Sequence, residues 1–247
     1  MFKRIVLVAG PGETGACFIP FLAHLKGVIQ ESTEPRGLFL RRRAKRLGWP
    51  TVLGQVLFQS IVVPLLKRGS RSRISEICKK YSLSPGRMPT SLTQSVDSIN
   101  SDRARQALRE LSPDLVIVHG TRIVSQETLG CVDCPWVNLH AGITPNYRGT
   151  HGAYWALYEG DLDNCGVTLH LVDKGIDTGG ILLQAQIQVT SRDNFATYPW
   201  IQLGEGLRLL ERALQDWPQA RGSQGRSRLY YHPTIWQYAW GWFRGVR

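Results

Sequence analysis

Cysteine is scarce and unpatterned in this 247-residue chain. Thiols at positions 17, 78, 131, 134 and 165 do not make the framework of a disulfide-stapled scaffold. Cys131 and Cys134 have the spacing of half a zinc site, but no second CxxC or His pair accompanies them, so no metal is expected. Long apolar runs are missing too. The most apolar stretch, Val52–Leu66, is interrupted by Gly54, Gln55, Gln59, Ser60 and Pro64. It reads as too short and too broken for a bilayer span, which needs about 20 apolar residues. The N-terminal MFKRIVLVAGPG has too short an apolar run for a signal peptide and no cleavage site, so a cytoplasmic, reducing location is expected. Acid is locally depleted: from Arg36 to Arg87 there are thirteen Lys or Arg and one acid, Glu76. That segment alone carries +12 against +11 for the whole chain, so the basicity is regional. A regional patch favours a local anion site or a surface contact, and nucleic acid is not an expected partner.

The rest has an ordinary globular composition, 43% apolar and 20% charged, with enough chain to bury a substantial core. Phe2–Ala9 is a mostly apolar run ending in Gly10-Pro11-Gly12. Thr14–Lys26 follows, with Ala16, Phe18, Ile19, Leu22 and Leu25 close to helical spacing. Strand, glycine turn and helix open a doubly wound unit. The turn GPGETG is neither GxGxxG nor a P-loop, and reads equally as a tight connection or as a phosphate contact through Gly12. Further strands are expected at Val28–Ser32, Leu115–His119, Trp136–His140, Gly166–Val172 and Ile181–Val189. Helices are expected over Asp102–Leu111, His151–Gly160 and Trp200–Leu214. The pattern predicts an α/β fold, a Rossmann-like, doubly wound, mostly parallel sheet with an inserted basic helical segment.

In this division residues 1–218 form a catalytic domain holding the basic insert 36–87, two helices with basic flanks. Residues 219–228 read as a linker and 229–247 as an aromatic tail that docks on the core or makes a subunit contact, a homodimer being open. The basic stretch 36–73 has three readings: a solvated face, a cap over a phosphorylated substrate, or a peripheral membrane contact. His119, at a strand end, reads as a hydrogen-bonded core histidine.

Asn138 and His140 lie two apart on an expected strand and so face the same side. Asp177 sits in a glycine-dense loop at the turn of an expected antiparallel hairpin, which can return it to His140. A carboxamide, an imidazole and a carboxylate that converge are suited to acyl transfer. His170 lies on the strand leading to Asp177, as an acceptor contact or as an ordinary strand histidine. Arg148 either binds an acceptor phosphate or pairs with a carboxylate.

The pieces SPDLVIVHGTRIV, NLHAGITPNYRG and VDKGIDTGGIL, in this order over Leu115–Gln186, resemble the folate-dependent formyltransferases. The resemblance implies 10-formyltetrahydrofolate as donor cosubstrate and a primary amine as small-molecule acceptor. It implies Asn138, His140 and Asp177 as the catalytic set. It also implies a pteridine pocket lined by Arg122, Ile123 and Val124, with Val172, Asp173, Gly175 and Ile176 closing over the ring. An amine attacking a formyl carbon gives a tetrahedral oxyanion. Asn138 is the expected donor to it, and His140 the expected proton acceptor or, as imidazolium, a second donor, oriented by Asp177. GPGETG lacks the Ser- and Asn-containing phosphate loop associated with glycinamide ribonucleotide enzymes, and the length leaves no space for the oligonucleotide-binding domain of the tRNA enzymes. The expected acceptor is therefore an amino sugar on a nucleotide, with glycinamide ribonucleotide second. A 10-formyltetrahydrofolate hydrolase and a non-catalytic membrane or nucleic-acid adaptor are the alternatives.

Overall fold

The chain builds β1 (Ile5–Ala9), β2 (Leu25–Glu31), and then the insert helices α1 (Arg36–Leu47), α2 (Trp49–Leu57), α3 (Val63–Gly69) and α4 (Arg71–Tyr81). After these come β3 (Thr93–Val96), α5 (Asp102–Leu111), β4 (Leu115–His119), the short α6 (Gln126–Leu129), β5 (Trp136–His140) and the two-residue β6 (Arg148–Gly149). The last elements are α7 (Gly152–Glu159), β7 (Gly166–Leu171), β8 (Ile181–Gln186), α8 (Tyr198–Gln215), β9 (Leu229–Tyr230) and α9 (Ile235–Phe243). This computed structural model describes residues 2–222 and 225–247; Ser223 and Gln224, in the expected linker, lie outside the described residues.

Seven strands form one sheet in the order β3-β2-β1-β4-β5-β7-β8. The first five are parallel, and β7 and β8 continue the sheet antiparallel. The central strands read as unbroken apolar runs because both sheet faces are covered. Leu7, Ile117 and Val137 face one core layer with α8, while Val6, Val8, Val116 and Val118 face the other with Ala104, Ala107 and Leu108 of α5. The strand ends are tied down by charge. Glu31, at the end of β2, is 2% exposed and takes the Arg122 guanidinium at 2.9 Å, the Arg122 N–H at 2.9 Å and the Ile99 N–H at 2.9 Å. One buried carboxylate therefore fixes the loop after β4.

Three expectations change. The segment expected as a helix over Thr14–Lys26 is a 3-10 helix over Thr14–Phe21, and β2 begins at Leu25. Pro20 lies inside that helix, where it removes an N–H and crowds the preceding turn, and Leu25 is already paired with Ile5 of β1. The insert has three helical rods instead of two, broken at Gly48 (φ 82°) and Ser70. The middle rod is also longer than expected: a π-helical turn (Phe58–Val62) joins α2 to α3 without a break. Trp49–Gly69 is one 21-residue helix, long and apolar enough by length and composition to cross a membrane. Its interrupting Gly and Gln residues are carried within helical geometry, which the sequence reading took for breaks.

The insert packs on the sheet's helical layer. The Phe58 ring meets Phe195 edge-on at 4.8 Å and lies 4.9 Å from Tyr238 of α9. Arg73 forks onto the buried Asp193 at 2.8 and 3.0 Å, and the Tyr81 hydroxyl donates to Glu205 at 2.7 Å. The aromatic tail docks in part. Its β9 pairs with β6, a capping box from Thr234 and Gln237 starts α9, and Tyr238 is buried, while Trp236, Trp240, Trp242 and Phe243 stay exposed.

Removing the buried charge should be costly and removing a surface one should not. Glu31→Ala leaves Arg122 and the Ile99 N–H without their partner and should destabilise the protein by about 3–5 kcal/mol. Glu34→Ala, whose partner Arg42 is 68% exposed, should cost about 1 kcal/mol or less. Urea unfolding midpoints of the two variants check the contrast.

Candidate active site

Strand pairing assembles the site. β5 and β7 run antiparallel with Asn138 opposite His170 and His140 opposite Thr168, so the carboxamide and two imidazoles share one end of the sheet. The connection from β7 to β8 then folds over that end. Asp173 closes it by accepting from the Gly175 N–H at 2.9 Å and the Thr178 hydroxyl at 2.7 Å. Gly179 packs so tightly on the Leu171 carbonyl that a Cβ would collide with it. Asp177 itself has φ 52°, a left-handed conformation that Asp tolerates better than most side chains.

The Asp177 carboxylate is the hub. Oδ2 accepts from the Gly149 N–H at 2.8 Å and lies 3.3 Å from His140 Nδ1. Oδ1 accepts from Asn138 Nδ2 at 3.3 Å and lies 3.5 Å from His170 Nε2. The expected hairpin is therefore present, and it brings the three sequence-predicted residues together. Asn138 Nδ2 also lies 3.2 Å from His170 Nε2, so both of its hydrogens are engaged inside the network. His170 belongs to the same cluster, 3% exposed, with Nδ1 donating to the Leu171 carbonyl at 2.7 Å. Its contacts orient Asn138 and Asp177.

The electrostatics of the pair are opposed. Burial would raise the Asp177 carboxyl, but His140, His170 and the Gly149 N–H outweigh it and hold the group below the usual carboxylate range. Burial pushes His140 below the ordinary imidazole range, against the Asp177 carboxylate and the Tyr147 carbonyl, which favour the charged ring. His140 Nε2 donates to that carbonyl at 2.8 Å, leaving Nδ1, the edge facing Asp177, to take a proton. His119 is half-buried on the cleft wall, its imidazole lowered to about 4 by desolvation and 3.0 Å from the Thr14 hydroxyl.

Beside the cluster opens a cleft of about 520 Å³, a size typical of small-molecule sites. Arg122, Ile123, Val124, Val172, Asp173, Gly175 and Ile176 all line it, as do Asn138, His140 and Asp177. The Arg122 side chain and N–H are committed to Glu31, so it braces the wall. Arg148 donates to the Ile176 carbonyl at 2.9 Å and so braces the Asp177 loop, and among the described residues it pairs with no carboxylate. Gly12 is exposed, and it is not among the residues lining the cleft.

The sequence reading missed the far wall. Leu229, Tyr230 and Tyr231 of the tail line the cleft, held there because β9 pairs with Arg148 and Gly149. Trp155 Nε1 donates to the Tyr231 carbonyl at 2.8 Å, and its ring stacks on Tyr230 at 5.4 Å. The aromatic cluster was visible in the sequence, but no spacing rule ties Leu229 and Tyr230 to Arg148 and Gly149. Next to this wall lies a second cavity of about 460 Å³ between α1, α2 and His232, lined by Arg36, Arg43, Gln55, Gln59 and Ser60 among others. Gln55 is 5% exposed and donates to the His232 carbonyl at 2.7 Å, while its Oε1 and the Arg43 Nε are buried without a partner. Among the described residues no group of three or more His, Cys, Asp or Glu could hold a metal ion.

A family model described as formyl transferase matches residues 65–199. A methionyl-tRNA formyltransferase of Thermosynechococcus vestitus is 34% identical over 145 residues, covering 57% of this chain and 44% of that protein. This chain thus matches less than half the length of that curated relative. Among solved structures, phosphoribosylglycinamide formyltransferase of Streptococcus pneumoniae aligns with a TM-score of 0.54 at 20% identity, covering 86% of this chain and 97% of that one. An N-formyltransferase of Helicobacter canadensis, in complex with folinic acid and dTDP-3-aminofucose, aligns with a TM-score of 0.56 at 15% identity, covering 93% and 71%. At such identities the structural likeness is one of fold. The matched model spans more than half of the chain and contains β4, β5, β7, β8 and the Asp177 loop, and the chain belongs to the formyl transferase family.

Proposed function

We propose that this protein transfers a formyl group from 10-formyltetrahydrofolate to the primary amine of an amino sugar carried on a nucleotide. The observation that carries the reaction is the Asp177 carboxylate held between His140, His170 and Asn138 at the mouth of the 520 Å³ cleft. The cleft suits a pterin: its walls include Val118, Val124, Leu139, Val172 and Ile176, with Asn138, Asp173 and Asp177 among the polar residues lining it.

The acceptor nitrogen adds to the formyl carbon, forming a C–N bond and placing negative charge on the formyl oxygen. Asn138 gives up its long 3.3 Å contact with Asp177 to donate to that oxygen. The proton lost by the attacking nitrogen goes to His140 Nδ1, where Asp177 stabilises the imidazolium. The tetrahedral carbon then collapses: the C–N10 bond breaks, N10 takes the proton back from His140 Nδ1, and tetrahydrofolate and the formamide are released with His140 neutral again. His170 positions Asn138 and Asp177.

The second cavity supports a sugar nucleotide as acceptor. Arg36 and Arg43 offer positive charge to a phosphate. The unpartnered Gln55 Oε1 calls for a hydroxyl or amine donor. The Helicobacter relative, crystallised with a nucleotide-linked amino sugar, is consistent with the same class. Mass-spectrometric detection of formylated product from a panel of nucleotide-linked amino sugars, glycinamide ribonucleotide and methionyl-tRNA tests the acceptor, and formate release without any amine would identify a hydrolase instead.

Two outcomes follow for the catalytic set. Asn138→Ala, His140→Gln and Asp177→Asn should each lower kcat/KM by about 10²–10³, with a smaller loss for His170→Ala, measured as tetrahydrofolate release. Catalysis through Nδ1 needs neutral His140, whose ionisation burial depresses. The wild-type rate should therefore hold as pH falls to about 6.5 and drop only below it. In Asp177→Asn that acid limb should move to still lower pH, because the carboxylate favouring the charged ring is gone; kcat/KM profiles between pH 4 and about 8 give the comparison.

A further inference from the structure

The helix Trp49–Gly69 carries apolar side chains on both its protein-facing and its solvent-facing side. Its protein-facing side carries Val52, Gln55, Phe58 and Val63, all buried. Its solvent side is also apolar: Trp49 is 63% exposed, Leu53 58%, Ile61 50% and Leu65 66%. The π-helical turn at Phe58–Val62 adds a residue to the repeat and keeps Ile61 on the outer side. A surface helix of a soluble protein normally turns a polar face outward.

The tail extends the same surface. In α9 Trp236, Trp240 and Phe243 follow i, i+4, i+7 spacing and are 50%, 59% and 76% exposed. Gly54 has no side chain, and the Trp236 ring fills the space where its Cβ would stand. Trp236 therefore joins the two stripes into one apolar face. Such a face on a soluble chain marks an interaction site.

Charge decides the occupant. Segments 36–87 and 217–247 together hold 18 of the 30 Lys and Arg residues and one of the 19 Asp and Glu residues. Arg41, Arg42, Lys45, Arg46, Lys67, Arg68, Arg244 and Arg247 are exposed on the elements that carry the stripes or directly precede and follow them. A second copy would oppose one positive rim to another. Nucleic acid offers phosphates, and bases that can stack on Trp, but nothing to cover the aliphatic stripe of Leu53, Ile61 and Leu65. An anionic lipid surface satisfies both demands: acyl chains for the stripes, headgroups for the rim, and an interfacial layer that Trp favours.

We propose that this protein docks on anionic membranes through Trp49–Gly69 and α9, lying in the headgroup layer without crossing it. Topology excludes a crossing. β2 precedes the helix, β3 follows it, and the two strands pair in parallel from Val28–Thr93 to Glu31–Val96. One crossing would put paired strands on opposite sides of the bilayer. Phe39 and Val56 line the second cavity and are also exposed beside the stripe, so docking brings that cavity next to the lipid.

Vesicle flotation of the full chain tests this. Wild-type protein should float with vesicles of phosphatidylcholine and phosphatidylglycerol at low salt, at least tenfold less with phosphatidylcholine alone, and less again as salt rises. Each basic side chain near an anionic surface contributes about fivefold. Two variants change only exposed side chains: Leu53→Ser with Ile61→Ser and Leu65→Ser, and Trp240→Ser with Phe243→Ser. Each should reduce flotation at least tenfold with an unchanged thermal melt by circular dichroism. Flotation that neither variant reduces, equal binding to neutral vesicles, or no flotation at all overturns the proposal. So does a homodimer in light scattering that the variants dissolve and that does not float, which would assign the face to a second copy.

Discussion

A carboxylate buried away from water must find compensation, and Asp177 finds it in four groups carried by three strands. Asn138 and His140 come from β5, His170 from β7, and the Gly149 N–H from β6. With a side chain 12% exposed, the group has little water to fall back on. Its partners are fixed in turn by β-pairing, so the integrity of the sheet edge and the charge state of the cluster are one constraint. The same pairing explains why the site lies where the sheet changes from parallel to antiparallel. β5 ends at the carboxyl edge shared with β4, and β7 arrives from the opposite direction carrying the loop that closes over it.

The insert and the tail turn this core into a distinctive surface. The tail places Tyr230 and Tyr231 on the cleft wall through β9, and its α9 packs Tyr238 against Phe58 of the insert. The inner sides of both segments thus shape the cavities. Their outer sides keep apolar residues in solvent amid nearly uncompensated positive charge. In the reading offered above, one pair of elements bounds the acceptor space and sets where in the cell the acceptor is met.

Much of the core was legible because its signals are local. Leu115–His119 and Trp136–His140 are short apolar runs bounded by turn residues, and they are strands with those limits. Asn138 and His140 share a side because strand side chains alternate. The Gly-rich loop carrying Asp177 signalled a hairpin turn, and the register of β7 with β8 delivers it. Harder to read were features set by partners distant in sequence. Nothing near Glu31 announces Arg122, 91 residues away. Nothing in LYYHP announces Arg148 and Gly149. Apolar spacing over Thr14–Lys26 suggested a helix, but Pro20 and the edge of β1 impose a 3-10 turn and an early strand. In Val52–Leu66 the polar interruptions hid a continuous helix, because Gln55 turns inward and its Nε2 donates to the His232 carbonyl and not to solvent. Asn138 was expected to donate to a substrate oxygen, and in the structure its amide hydrogens engage Asp177 and His170.

The central claim is that formyl chemistry takes place against the Asp177 cluster with the folate in the adjoining cleft. A crystal structure of the protein with folinic acid tests it most directly. The account predicts the pterin between segments 122–124 and 172–176, with the formyl group within hydrogen-bonding reach of Asn138 and the His140–Asp177 contact intact. Folinic acid bound elsewhere, or a cluster whose imidazole and carboxylate separate when the cleft fills, would contradict it.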